Sequence, residues 1–92
     1  MNAVGDGWSA LILRDLLLEG PRRFQDFQES LGSIVPSTLS GRLKRLEADG
    51  LIEREIYQDH PVREHYVLTA RGKTLGPVLA AMRKWGREHR HG

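Results

Sequence analysis

Basic residues in this 92-residue chain gather in short runs: Arg22 with Arg23, then Arg42, Lys44 and Arg45, then Arg83, Lys84, Arg87 and Arg90. Such side chains neutralise phosphate and, at close range, donate hydrogen bonds to base edges. The middle run follows Ser37, Thr38, Ser40 and Gly41, which are small enough to let a backbone come close to a partner. His60 and Arg63 form a smaller site, with Arg63 the stronger member because it is charged at pH 7 whereas histidine mostly is not. Placement carries this reading, not the total. Fourteen basic against 12 acidic side chains give a formal charge of +2, too small to mark a nucleic-acid binder.

Other chemistries find little support. The chain has no cysteine, which removes thiol redox switching, cysteine-based zinc sites and cysteine nucleophiles together, and fits a reducing compartment. His60 and His65 have no carboxylates at ligand spacing, and His89 and His91 fall in the tail, so no metal or other cofactor is expected. No nucleophile, base and orienting residue form a set, and no glycine-rich phosphate loop follows a strand, so an enzyme is not expected. No apolar run approaches the roughly 20 residues needed to cross a bilayer, and Met1 to Asp6 lacks the blocks of a signal peptide. The expected location is cytoplasmic, on the nucleoid.

The elements that must position these residues follow from apolar spacing. Leu11, Ile12, Leu16 and Leu17 give helical periodicity from about residue 7 to 19, stopped by Gly20-Pro21. After a very short extended piece at Arg22 to Phe24, a second helix from Gln25 to Leu31 aligns Phe24, Phe27 and Leu31 and ends at Gly32. Pro36 suits the first turn of a third helix reaching about Asp49 and closed by Gly50. Its buried stripe is Leu39, Leu43 and Leu46, so Ser37, Thr38, Ser40, Gly41, Lys44 and Arg45 face away. Two β-type runs, Leu51 to Tyr57 and Glu64 to Leu68, flank a polar tip from Gln58 to Arg63. Thr69 then caps a last helix carrying Leu75, Leu79, Met82 and Trp85 or Gly86, which Pro77 kinks or restarts near Gly76.

This order predicts one domain over residues 1–92: an α+β, mainly α, winged helix-turn-helix with a two- to three-stranded antiparallel wing and a C-terminal helix. In that architecture the third helix enters the major groove of double-stranded DNA and the hairpin touches the adjacent backbone. A chain this short buries only about two-thirds of its unfolded surface, so dimerisation is a natural supplement.

The residues also resemble a known family, the HxlR-type winged helix-turn-helix regulators of the MarR/HxlR-like group. The resemblance runs through Trp8-x-x-x-Ile12-Leu13-Arg14-Asp15-Leu16, Gly20-Pro21-Arg22-Arg23-Phe24-Gln25-Asp26-Phe27 and the segment from Leu39 to Arg54. It continues in Tyr66-Val67-Leu68-Thr69-Ala70-Arg71-Gly72, Leu75-Gly76-Pro77-Val78-Leu79 and Trp85-Gly86. It implies a bacterial or archaeal DNA-binding homodimer, paired through its first and last helices, that regulates transcription from a near-palindromic operator. Carried onto this chain, the dimer surface comprises Trp8, Leu11, Ile12, Leu79, Met82 and Trp85. Two departures stand out. Many relatives sense oxidants or electrophiles through a cysteine near the N-terminus, which is absent here. Relatives also commonly place a serine just before the proline of the third helix, where this chain has Val35.

Blander assignments compete at each position. Lys44 and Arg45 could be an ordinary solvated face, and Arg42, nearer the buried stripe, could pair with Glu47 or another acid. One of Arg22 and Arg23 could meet phosphate while the other serves the fold, and the tail cluster suits the C-terminal end of a helix dipole. Trp8, Tyr66 and Trp85 could line a small-molecule effector pocket, although aromatic residues at such spacing are more often core. The interspersed acids Glu47, Asp49, Glu53, Glu55 and Asp59 leave one alternative of another class: a winged-helix protein-interaction or assembly module without DNA binding.

Overall fold

The computed structural model describes residues 7–78, 80 and 81, and its elements run in the expected order. Helix α1 spans Gly7–Glu19 and buries Ile12, Leu13 and Leu16. Gly20 ends it at a φ of +79°, with its amide bonded to the Leu16 carbonyl at 3.1 Å. Helix α2 spans Phe24–Leu31, so Phe24 opens the helix instead of preceding it. Asp26 explains that start: its Oδ2 accepts the Arg23 amide at 2.9 Å, half of a capping box.

Helix α3, Pro36–Ala48, buries the expected stripe of Leu39, Leu43 and Leu46. Val35 stands at its N-cap, extended as a residue before proline must be, and supplies no side-chain cap. The other end is closed by a Schellman motif. Gly50 donates to the Glu47 carbonyl and Leu51 to the Leu46 carbonyl, both at 3.0 Å, with Gly50 at a φ of +74°.

Strand β1, Ile52–Asp59, pairs antiparallel with β2, Val62–Leu68, in the register Ile52↔Leu68, Arg54↔Tyr66 and Ile56↔Glu64. The hairpin is longer than its apolar pattern indicated. Gln58 pairs with Arg63 and Asp59 with Val62, so the expected polar tip from Gln58 to Arg63 shrinks to His60 and Pro61. An irregularity between Ile56 and Gln58 absorbs Tyr57, and backbone pairing continues through residues whose side chains all face solvent. Arg22 adds a one-residue third strand, exchanging both backbone hydrogen bonds with Tyr66 at 3.1 and 2.7 Å.

Thr69 caps α4, Ala70–Lys73, by accepting the Gly72 amide at 3.0 Å while its own hydroxyl donates to the Gly50 carbonyl at 2.6 Å. Gly72 has to be glycine, because a Cβ there would overlap the Leu51 carbonyl oxygen. Residues 74 and 75 form a turn, and helix resumes at 76–78 and at 80 and 81, which is the restart expected at Gly76-Pro77.

One core unites these pieces: Ile12, Leu13, Leu16, Phe27, Ile34, Leu39, Leu43, Leu46, Leu51 and Ile52, flanked by Trp8, Phe24, Leu31, Tyr66, Leu68 and Leu75. This corrects one expectation about the dimer surface. Ile12 is 0% exposed within a single chain, so it belongs to the core and has no area left to give a partner. Trp8 and Leu11 are half-buried and retain some; Leu79, Met82 and Trp85 lie outside the described residues. Leu18 and Val78 are exposed. Among the described residues no helix is long and apolar enough to cross a membrane.

Candidate nucleic-acid interface

Because Leu39, Leu43 and Leu46 are pinned in the core, the opposite face of α3 is fixed in space. Ser37, Gly41, Lys44 and Arg45 are exposed on it, with Thr38 and Ser40 half-buried at its margin. Arg42 is also half-buried, with its Nε withdrawn from solvent, as expected for a residue on the flank of the stripe. Glu47, a candidate partner for Arg42, accepts a hydrogen bond from Arg54 Nε at 3.2 Å. Thirteen residues make α3 about 20 Å long, and a helix of ordinary width fits the roughly 12 Å major groove. The amides of Ser37 and Thr38 at its first turn receive no cap from Val35.

Arg22 and Arg23 are both engaged by acids of the same chain. Arg22 Nη2 lies 3.5 Å from Asp15 Oδ2 and donates to the Asp26 carbonyl at 3.3 Å. Asp15 is buried, and its other oxygen accepts the Ser30 hydroxyl at 3.1 Å. Arg22 therefore compensates an acid in the interior of the helical unit, and drawing it toward a phosphate would leave that carboxylate without its cation. Arg23 grips Asp26 with both prongs, Nη2 to Oδ1 at 2.9 Å and Nε to Oδ2 at 3.2 Å. These bonds hold the Asp26 carboxyl below the usual carboxylate range and raise the Arg23 guanidinium.

On the hairpin, His60 sits in the two-residue turn, where its carbonyl accepts Gln58 Nε2 at 3.2 Å, and Arg63 is exposed on the first part of β2. Further in, His65 stacks on Tyr57 with ring centroids 4.7 Å apart and contacts Glu55 Oε1 at 2.8 Å. No group of three or more metal-ligating side chains occurs among the described residues. Of the aromatic residues considered for an effector pocket, Trp8 and Tyr66 pack on the core, Tyr66 against Phe27 at 6.1 Å, and Trp85 lies outside the described residues.

Three polar clusters were missed by sequence reasoning: Asp15 with Arg22 and Ser30, Glu55 with His65 and Tyr57, and Arg54 between Glu47 and Glu64. Only the first left a trace, as the acid that interrupts the apolar run of α1. The second needs the strand register, and the third joins residues seven apart across a turn.

The profile of the HxlR-like helix-turn-helix family matches residues 3–92. The chain is 33% identical over 90 residues to the HTH-type transcriptional regulator YybR of Bacillus subtilis strain 168, covering 98% of this chain and 71% of that one. Its fold is similar to that of the redox regulator HypR in its reduced form, with a TM-score of 0.86, 34% identity and coverage of 96% and 86%. It is also similar to the reduced form of the transcriptional regulator YodB from B. subtilis, with a TM-score of 0.84, 33% identity and coverage of 95% and 84%. With a winged helix-turn-helix whose third helix turns small polar and basic side chains outward, this chain belongs to the HxlR-like helix-turn-helix family of DNA-binding transcriptional regulators.

Proposed function

We propose that the protein acts as a homodimer on a near-palindromic operator, each protomer placing α3 in the major groove and its hairpin on the adjacent backbone. The observation that carries this reading is the outward face of α3. Ser37, Ser40 and Gly41 allow close approach, and Lys44 and Arg45 reach base edges or phosphates from a helix whose back is fully buried. Thr38 and Arg42 border that footprint, Arg63 and His60 extend it to the tip of the wing, and Arg23 is a secondary phosphate contact through its exposed side. Arg22 is assigned to the fold.

Dimerisation is supported by apolar surface that a single chain leaves uncovered, at Leu18 and Val78 and in part at Trp8 and Leu11. Two-fold symmetry sets the two α3 helices about 34 Å apart, one turn of duplex. The place of action is the nucleoid in the cytoplasm. The signal is not a thiol reaction within this sequence, which contains no cysteine.

The test is a paired substitution, Lys44→Ala with Arg45→Ala, measured by fluorescence anisotropy on a duplex selected from a random library by the unaltered protein. Binding is expected to fall at least about 30-fold, on the order of two lost contacts at about 1–3 kcal/mol each, with dimer mass by sedimentation and helical content unchanged. Affinity should also fall steeply with added salt as condensed counterions are released. Unchanged affinity of the double variant would remove α3 as the reading element. Lack of even micromolar binding to any duplex at low salt would instead favour an interaction module.

A further inference from the structure

The hairpin is gripped only at its base. Ile52 is buried, but every later residue of β1 is exposed, and on β2 only the part from His65 to Leu68 is even half-buried. Asp49, Gly50 and Leu51 alone connect α3 to β1. Arg54 braces this junction. Its Nε donates to Glu47 Oε2 on α3 at 3.2 Å, and its Nη1 lies 3.9 Å from Glu64 Oε2 on β2. One planar guanidinium thus hydrogen-bonds the third helix through Nε and holds a second nitrogen in charge contact with the neighbouring strand, a placement of two nitrogens that a lysine ammonium cannot copy. Across the register Arg54 faces Tyr66, which the Arg22 bridge ties to the start of α2.

The charge at this point makes the arrangement informative. Two carboxylates surround one cation and raise its pKa, Glu47 having the larger effect, so the cluster carries net negative charge beside a surface that must meet a polyanion. Arg54 is consequently a poor phosphate ligand. Exposed ion pairs of this kind also contribute little to folding stability. What the clasp can supply is geometry: α3 and the wing touch different parts of the duplex, and both contacts form together only if their relative angle is set beforehand.

We propose that Arg54 is a positioning residue for DNA recognition, held by Glu47 and Glu64 to fix the angle between the recognition helix and the wing. The proposal rests on the DNA-binding reading above. Its sharpest test is Glu47→Gln, because two explanations predict opposite signs. Removing an acid near DNA should tighten binding by simple Coulomb attraction, whereas loosening the clasp should weaken it.

Dimers of the full chain would be titrated with the duplex selected by the unaltered protein and with an unrelated duplex of equal length. Glu47→Gln is expected to weaken binding to the selected duplex roughly ten-fold, about the effect of one mismatched base pair, with little change on the unrelated one. Arg54→Lys, which keeps the charge but not the two placed nitrogens, should show the same loss with an unchanged salt slope. Glu47→Gln binding the selected duplex as tightly as the unaltered protein, or more tightly, overturns the proposal. So does Arg54→Lys behaving like the unaltered protein while Arg54→Gln lowers the salt slope by about 1, the signature of a direct phosphate contact. Should Glu47→Gln lower the melting temperature, Arg54→Lys carries the test. If the unaltered protein selects no duplex, the DNA-binding reading fails first and this proposal with it.

Discussion

Helix α3 and the hairpin that follows it are proposed to serve the same task, yet opposite forces hold them. The helix is fixed by burial: Leu39, Leu43 and Leu46 anchor it, and its position is as firm as the core itself. The hairpin projects beyond that core with Ile56, Tyr57 and Val62 exposed, and it is steadied by backbone pairing and by charged groups such as Arg54 and Glu55 with His65. Burial is insensitive to salt and pH, whereas exposed ion pairs are screened and titrate. A change of solution conditions should therefore alter the pose of the hairpin before that of α3.

The largest effect expected from this contrast comes from deleting apolar volume in the two regions. Leu43 is 1% exposed and Ile56 is 55% exposed. Leu43→Ala should cost about 2–5 kcal/mol through lost burial and a residual cavity. Ile56→Ala should stay within about 0.5 kcal/mol. Urea unfolding followed by circular dichroism would measure both. Similar costs at the two positions would mean that the wing is packed rather than projecting.

A smaller loss is expected where the two regions are joined. An alanine at position 72 would drive its Cβ into the Leu51 carbonyl oxygen, and that carbonyl already accepts the Thr69 amide at 3.1 Å. Backbone has to move, since the nearest obstacle is that carbonyl and not the Leu68 side chain, which also lies close at 3.0 Å. Gly72→Ala is expected to destabilise the fold by about 1–3 kcal/mol, the usual range for overpacking, and to lower the melting temperature accordingly. An unchanged melting temperature would show that α4 can slide away from the end of α3 without loss.

The contrast also explains what the sequence disclosed. Elements held by burial were legible, because burial leaves periodicity: the leucines of α3, the apolar run of α1 and the glycine stops all lie where spacing placed them. The hairpin was legible in kind but not in length. Gln58, Asp59 and Arg63 pair through their backbones, and an exposed strand need not alternate. Ile12 shows the limit from the other side. Helical spacing marks a residue as apolar-facing but does not say whether it faces the core or a partner. The polar clusters were least legible, since Asp15 with Ser30 and Glu55 with His65 meet only after α1 and α2 pack and the strands register.

Within α3 itself one improvement should be available without touching its packing. Val35 is 54% exposed at the N-cap and leaves the first-turn amides uncapped by a side chain. Val35→Ser should stabilise the fold by about 0.5–2 kcal/mol by supplying the missing acceptor. Thermal unfolding would show it as a raised midpoint. A lowered midpoint would mean that the valine makes contacts worth more than a cap.

The smallest effect expected concerns pH on the charged side of the molecule. Asp26 titrates below its ordinary value because hydrogen bonds from the Arg23 side chain and amide favour its charged form. A carboxylate with a depressed folded-state pKa contributes stability that is fully present above its unfolded value. That contribution is lost as pH falls through the folded one, here below about pH 4. Stability should thus decline on acidification, and Asp26→Asn should remove part of the decline while lowering stability slightly at neutral pH. Tyr57 stacks on His65 at the surface of the hairpin, so tyrosine fluorescence reports on the wing rather than on the helical core. Comparing the acid titration of that signal with the far-ultraviolet circular dichroism of the helices separates the two regions directly. If both signals change together in the unaltered protein, the wing is coupled to the core more tightly than its exposure indicates.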